Sequence, residues 1–152
     1  MSKLLFDKEN KSRPYLAVNA VILKKINNKQ YILLGKRKNV AGAGYYYPPG
    51  GHVKWGESLK ETLIREVKEE CGLDILPGKS VWTEEAFEPE HHVILYYYAI
   101  FKNKSDKPKN VEPDKCEGWH WFPLDCPPTP LWHYLGELIK LLNKKFKPKE
   151  RS

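Results

Sequence analysis

Several features that would point elsewhere are missing from this chain. Cysteine is scarce: Cys71, Cys116 and Cys126 are odd in number and show no Cys-x-x-Cys spacing, which argues against both a disulfide framework and a zinc site and fits a reducing compartment. No apolar stretch opens the chain. Met1-Ser2-Lys3-Leu4-Leu5-Phe6-Asp7-Lys8-Glu9 is charged almost from its start, so a secretory leader is not expected and a cytoplasmic location is. The longest greasy run, Val93 to Phe101, contains three tyrosines and falls well short of the ~20 residues that cross a bilayer, so it reads as a buried strand and no membrane partner is expected. Internal repeats are absent, and the only biased segment is a basic tail.

That tail accounts for most of the charge. The net charge is +7, and residues from Lys140 onward supply five of it, the signature of a solvated terminus rather than of a nucleic-acid-reading surface. Specific nucleic-acid binding is therefore not expected. With 152 residues and 41% hydrophobic content, one core is affordable but two are not. A single domain over residues 1–152 is expected, with 1–13 and 147–152 as flexible tails.

Tyr15 to Lys25 and Tyr31 to Arg37 read as two strands joined at Asn27-Asn28-Lys29. Asn39 to Gly44 is small and flexible, and Tyr45-Tyr46-Tyr47 runs into Pro48-Pro49-Gly50-Gly51, where a loop is expected. Ser58-Leu59-Lys60-Glu61 has the spacing of a capping box. Leu59, Leu63, Val67 and Cys71 then recur every four residues up to Gly72, a helix-ending residue, which predicts a helix over 58–71. Lys79 to Phe87 and Val93 to Phe101 read as a second strand pair beyond Pro77-Gly78. Gly118 to Pro123 reads as a last strand and Leu131 to Phe146 as a terminal helix. Along Tyr96-Tyr97-Tyr98, strand alternation sends neighbours to opposite faces, and it keeps His91 and His92 from sharing a metal. Trp119 and Trp121 share a face and are expected in the core.

The 58–71 helix carries the chemistry. At 100° per residue Glu66 and Glu70 lie one turn apart, abutting the apolar stripe rather than opposite it. Like charges at that spacing repel, and partial burial adds a desolvation cost, so a helix keeping both there needs protonation or a cation. With Glu69 close by, oxygen ligands alone suit Mg²⁺ or Mn²⁺. The alternative is an ordinary solvated charged helix.

The surrounding pattern decides between them. Gly51, five residues, Glu57, seven residues, then Arg65-Glu66-Val67-Lys68-Glu69-Glu70-Cys71-Gly72-Leu73 matches the Nudix box at every fixed position, and the chain resembles the Nudix hydrolases. The resemblance implies an α+β fold, an α/β/α sandwich with a mixed β-sheet between helices, and hydrolysis of a phosphoanhydride in a nucleoside diphosphate derivative. It implies Mg²⁺, with Mn²⁺ as a substitute, held by Glu66, Glu69, Glu70 and the Gly50 carbonyl, and it makes Arg65 and Glu57 supporting residues that orient these carboxylates. Glu70 or Glu66 would hold the attacking water. In some members the base comes from a later loop, where Glu84, Glu85, Glu88 and Glu90 are candidates.

Similarity runs over roughly residues 15 to 140. Leu33-Leu34-Gly35-Lys36-Arg37-Lys38, Gly42-Ala43-Gly44 and Pro108 to Glu117 look like the MutT-type nucleotide diphosphatases, which convert triphosphates, oxidised purine nucleotides included, to monophosphate and pyrophosphate. That branch implies Arg37 on phosphate, Gly51 beside it, and a base between Pro48 and the start of the terminal helix at Leu131, Trp132, His133 and Tyr134, with Trp132 a stacking candidate. Pro48 and His133 depart from the branch's usual residues, which leaves base preference open. The branch is commonly homodimeric. Two other readings stand beside the triphosphatase: a Nudix pyrophosphatase of NADH, ADP-ribose or a nucleotide sugar, and a sensor that binds without cleaving.

Overall fold

A computed structural model of the chain describes residues 13–132 and 135–147. The expected tails, Arg13 and Lys147 apart, and the residues His133 and Tyr134 lie outside the described residues.

Two long strands set the frame. β1 (Tyr15–Ile26) returns as β2 (Lys29–Arg37) through a loop of Asn27 and Asn28. Both asparagines are left-handed, at φ 50° and 64°, the backbone that a two-residue hairpin turn matching strand twist demands and that asparagine tolerates. Next come β3 (Tyr46–Tyr47) on β2 and β4 (Gly50–His52) on β1. The helix α1 (Leu59–Cys71) follows. After it, β5 (Ile75–Ala86) and β6 (His92–Phe101) form an antiparallel pair, and β7 (Cys116–Pro123) lies against β2. The terminal helix α2 spans Leu135–Lys145.

The sheet runs β3-β2-β1-β6-β5, with β4 also paired to β1 and β7 to β2. It is mixed, because β6 lies parallel to β1 with Tyr15 opposite His92 and Ile22 opposite Ala99. Strand alternation gives it two apolar faces. Val18, Ala20, Ile22, Leu33 and Trp119 meet Leu63, Val67 and Cys71 of α1 on one face. Ala17, Val21, Ile32, Leu34, Ile94 and Tyr96 meet Leu135, Leu138, Ile139 and Leu142 of α2 on the other. This is the expected α+β sandwich of helix, sheet and helix. Among the described residues no helix is long and apolar enough to cross a membrane.

α1 starts and stops where its sequence says. The Ser58 hydroxyl accepts from the Glu61 N–H, the Glu61 carboxylate accepts from the Ser58 N–H, and Gly72 closes the helix at φ 67°. Leu63 is fully buried on the stripe. Leu63→Ala is expected to cost about 2–5 kcal/mol by lost burial and cavity formation, read as a lowered urea midpoint at unchanged slope.

Four expectations need correction. Gly50–His52 is not loop but a strand, because glycine at 50 lets the chain lie against the Val18 carbonyl and Asn19, where a Cβ would collide. β5 begins at Ile75 and runs through Pro77-Gly78. It is an edge strand, and its register shifts there absorb the missing donor. β7 begins at Cys116 rather than Gly118. Leu131 and Trp132 precede the last helix: Leu131 bridges to Tyr46, and the Trp132 N–H donates to the Tyr46 carbonyl at 2.9 Å. Trp119 and Trp121 pack on the α1 face as expected, and Tyr96 and Tyr97 divide between the two faces.

Candidate active site

The residues of the box meet because β4 leads straight into α1. Arg65, near the middle of the helix, reaches back over this connection. Its Nε and Nη2 donate to the two Glu57 oxygens at 2.7 and 2.9 Å, its Nη1 to Glu66 at 2.8 Å and to Glu69 at 3.3 Å, and Nη2 also to the His52 carbonyl at 3.2 Å. Glu57 further accepts from the Lys54 N–H and the Thr62 hydroxyl. The Arg65 bond, reinforced by those two donors, holds the Glu57 carboxyl down at about 2. One planar fork therefore fixes the connection and two helix carboxylates at once.

Glu66 and Glu70 both shift the opposite way to Glu57. Desolvation raises the Glu66 carboxyl against the pull of Arg65. The Glu70 carboxyl is pushed well above its ordinary range, first by burial and then by the Glu66 charge, with only the Gly50 N–H, donating at 3.4 Å, and the more distant Arg37 opposing. Glu66 lies directly beneath Gly51, where an added Cβ would come 2.6 Å from both carboxylate oxygens. Two desolvated carboxylates so placed favour a hard cation or a proton between them.

The fit to a metal is partial on the protein side. Glu66, Glu69 and Glu70 line one cleft, but Glu69 is half exposed and bonded to Arg65, and no group of three His, Cys, Asp or Glu side chains among the described residues encloses a metal by itself. A donor set of two carboxylates, completed by a main-chain carbonyl, water and substrate phosphate, is what Mg²⁺ uses.

These residues line a cleft of about 570 Å³, within the usual range of small-molecule sites. Its wall beyond Gly50 is aromatic and cationic. The Arg37 guanidinium carbon lies 4.7 Å from the centre of the Tyr47 ring and 5.3 Å from that of Trp132, with its Nε donating to the Ala41 carbonyl at 2.6 Å. Gly42, at φ 82°, leaves the room that the Trp132 ring occupies. Gly50, Gly51, Arg37 and Trp132 thus line one cleft with the acidic helix. Pro48 is buried and does not line it, and Tyr47 stands at the wall instead.

Of the later carboxylates, Glu90 reaches the cleft. Glu85 pairs with His91 at 2.7 Å, and Glu84 is buried and accepts from the Tyr96 hydroxyl at 3.2 Å. Glu112, not among the expected site residues, also lines the cleft and bears electrostatically on both Glu66 and Glu70. It arrives there because its loop caps α1: the Lys109 and Val111 N–H groups donate to the Cys71 and Glu70 carbonyls at 2.8 and 3.3 Å, satisfying orphan helix-end acceptors. Its only signal was its place in the Pro108 to Glu117 segment.

Gly51→Ala is expected to leave the fold intact, since a flexible carboxylate tip is all that must move, yet to displace Glu66. The melting temperature should shift by no more than a few degrees while turnover falls at least tenfold and the Mg²⁺ concentration for half-maximal rate rises.

Comparison with known proteins shows what the chain as a whole is similar to. The NUDIX domain model matches residues 15–142. A MutT NUDIX hydrolase from Burkholderia pseudomallei superposes with a TM-score of 0.75 at 32% identity, covering 84% of this chain and 97% of that one. The chain is 44% identical over 90 residues to an ADP-ribose pyrophosphatase of Methanocaldococcus jannaschii, covering 57% of this chain and 50% of the relative. It is 28% identical over 112 residues to the NAD-capped RNA hydrolase NudC of Stutzerimonas stutzeri, covering 74% and 38%. The chain thus spans half the length or less of these two curated relatives. With the box complete, its helix in place and the family model covering both strand pairs, this chain belongs to the Nudix hydrolase family.

Proposed function

We propose that this protein is a Mg²⁺-dependent nucleoside triphosphate pyrophosphohydrolase, with Mn²⁺ able to substitute, acting on purine nucleotides, oxidised ones included. The observation that carries the hydrolytic reading is the pair of desolvated carboxylates, Glu66 and Glu70, on the floor of a cleft beside a wall that carries a guanidinium. The divalent cation, when bound by Glu66, Glu70 and the Gly50 carbonyl with Glu69 in support, supplies a polarised water and neutralises phosphate oxygens.

The chain's own groups do the rest. Arg65 holds Glu57 and Glu66 in place, so the acidic floor is preorganised before substrate arrives. Arg37, braced by Tyr47 and Trp132, faces the phosphate chain, and Trp132, which lines the same cleft, is the ring offered to the base. Glu70, the carboxylate held against the Gly50 N–H at the floor of the cleft, takes a proton from the attacking water. As the bond from that oxygen to phosphorus forms, the bridging P–O bond breaks and its electron pair leaves on pyrophosphate.

A second reading, hydrolysis of ADP-ribose, is favoured by the similarity to the Methanocaldococcus jannaschii enzyme. Phosphate-release profiling with Mg²⁺ over canonical and oxidised nucleoside triphosphates, ADP-ribose and nucleotide sugars separates the two. Preference for a purine triphosphate with pyrophosphate as product is the expected result. Turnover of ADP-ribose alone overturns the triphosphate reading, and turnover of nothing overturns both.

A further inference from the structure

The two glycines of β4 face opposite ways. Alternation turns Gly51 towards Glu66 of α1, whereas a Cβ at Gly50 would collide with the Asn19 amide oxygen on the other side of the strand. The cleft reaches both sides. Beyond the carboxylates it is lined by Ala17 and Asn19 of β1 and Ile94 of β6, so an aliphatic floor carries a single half-buried amide. Among the described residues lining the cleft, Asn19 is the one neutral side-chain amide.

Behind Asn19 stands a buried polar chain. Asn19 is the register partner of Tyr96 on β6. Its side chain hydrogen-bonds to Tyr96, and the Tyr96 hydroxyl donates onward to the Glu84 carboxylate of β5 at 3.2 Å. Tyr96 is 1% exposed and Glu84 4%. A carboxylate kept in the interior is a costly anchor, and what it fixes here is a direction. A tyrosine hydroxyl has one proton to give. With that proton on Glu84, the Tyr96 oxygen can only accept from Asn19, so the amide turns its nitrogen to Tyr96 and its Oδ1 towards Gly50, where Oδ1 lies. The acceptor and the remaining donor that Asn19 offers the cleft are thus set in one order.

Bases divide by that same order. Guanine and uracil carry a carbonyl oxygen beside a ring N–H, while adenine and cytosine carry an amino group beside a bare ring nitrogen. An amide free to flip suits both classes, and one locked in a single orientation suits one. Stacking on Trp132 does not separate them, because every base has a π-face.

We propose that Asn19, locked by Tyr96 and Glu84, reads the edge of the nucleotide base and makes this protein discriminate keto bases from amino bases. The proposal rests on the nucleoside triphosphate reading of the cleft and adds to it the residue that selects the base.

The test compares GTP with ATP. Their kcat/KM values with Mg²⁺, and calorimetric Kd values for their non-hydrolysable analogues, are measured for the wild type, Asn19→Leu, Tyr96→Phe and Glu84→Gln. A bidentate contact between an amide and a base discriminates by about ten- to a hundredfold. The wild-type ratio of GTP to ATP is expected to depart from one by at least about tenfold, in turnover and in binding, and to come within about threefold of one in Asn19→Leu. Tyr96→Phe, which keeps Asn19 but removes the lock, should flatten the ratio in the same way. Glu84→Gln is isosteric and brings an N–H that can donate to Tyr96, turning the hydroxyl proton onto Asn19, so the ratio should move towards the base that the wild type disfavours. A wild-type ratio near one, or equal losses on GTP and ATP in Asn19→Leu, overturns the reader while leaving the triphosphate reading intact. A preference that Tyr96→Phe and Glu84→Gln both leave unchanged overturns the lock. If neither triphosphate is turned over and neither analogue is bound, the triphosphate reading and the proposal fall together.

Discussion

Glu70→Gln is expected to lower kcat on the preferred nucleotide by about a thousandfold while leaving the protein folded and, without metal, more stable at neutral pH. The two halves have one cause. Glu70 is held in a desolvated position beside Glu66 with little to offset its charge, so the neutral amide relieves a penalty that the fold otherwise bears and removes the group that accepts the proton. Because the folded pKa values of Glu66 and Glu70 are raised, folding takes up protons there. Their stabilising contribution is fully present below the unfolded value near 4.5 and is lost as pH rises through the folded values. Glu57 has the opposite sign: its contribution is present above that unfolded value and is lost only as pH falls through about 2. Between about pH 4.5 and neutrality the acidic pair therefore lowers stability as pH rises, while His52, whose imidazole is held down by burial and by His92, acts in the opposite sense in both proteins. Melting curves in EDTA should show the stability advantage of Glu70→Gln over metal-free wild-type protein growing as pH rises across this window. An equal slope in both proteins contradicts the assignment of the strain to Glu70.

Arg65→Lys should lower kcat/KM by about ten- to a hundredfold, the usual cost of losing a residue that orients ligands, although it keeps the charge. A lysine has no planar fork and cannot hold both Glu57 oxygens and Glu66 together, as Arg65 does at 2.7, 2.9 and 2.8 Å. A readout beyond activity separates positioning from general damage. In a carboxyl-carbon NMR titration, Glu57 should move from about 2 back towards the ordinary carboxylate range in Arg65→Lys. An unmoved Glu57 with lost activity would assign Arg65 a different role.

The parts of the site that follow helix periodicity were legible in the sequence. The capping box at Ser58, the apolar stripe through Leu63 and Val67, and Glu66 and Glu70 at its border are local consequences of 3.6 residues per turn, and each lies where the spacing puts it. What the sequence did not disclose depends on contacts between distant segments. Glu112 enters the cleft only because its loop caps the end of α1. Tyr47 replaces Pro48 at the wall because β3 pairs with β2 and alternation then sends the tyrosine to the α1 face. The chain at Pro48-Pro49-Gly50-Gly51 reads as a breaker, yet the glycines continue into strand because their lack of a side chain is what lets them approach β1. The meeting of His52 and His92 needs the parallel pairing of β1 and β6, which no local pattern announces.

The measurement that bears most directly on this account is Mn²⁺ titration of metal-free protein, read by loss of the free-ion electron paramagnetic resonance signal in the presence of a non-hydrolysable nucleotide, for the wild type, Glu66→Gln and Glu70→Gln. The account predicts saturable Mn²⁺ binding by the wild type and at least tenfold weaker binding by each variant. Undiminished binding in both variants, or no binding by the wild type, would contradict it.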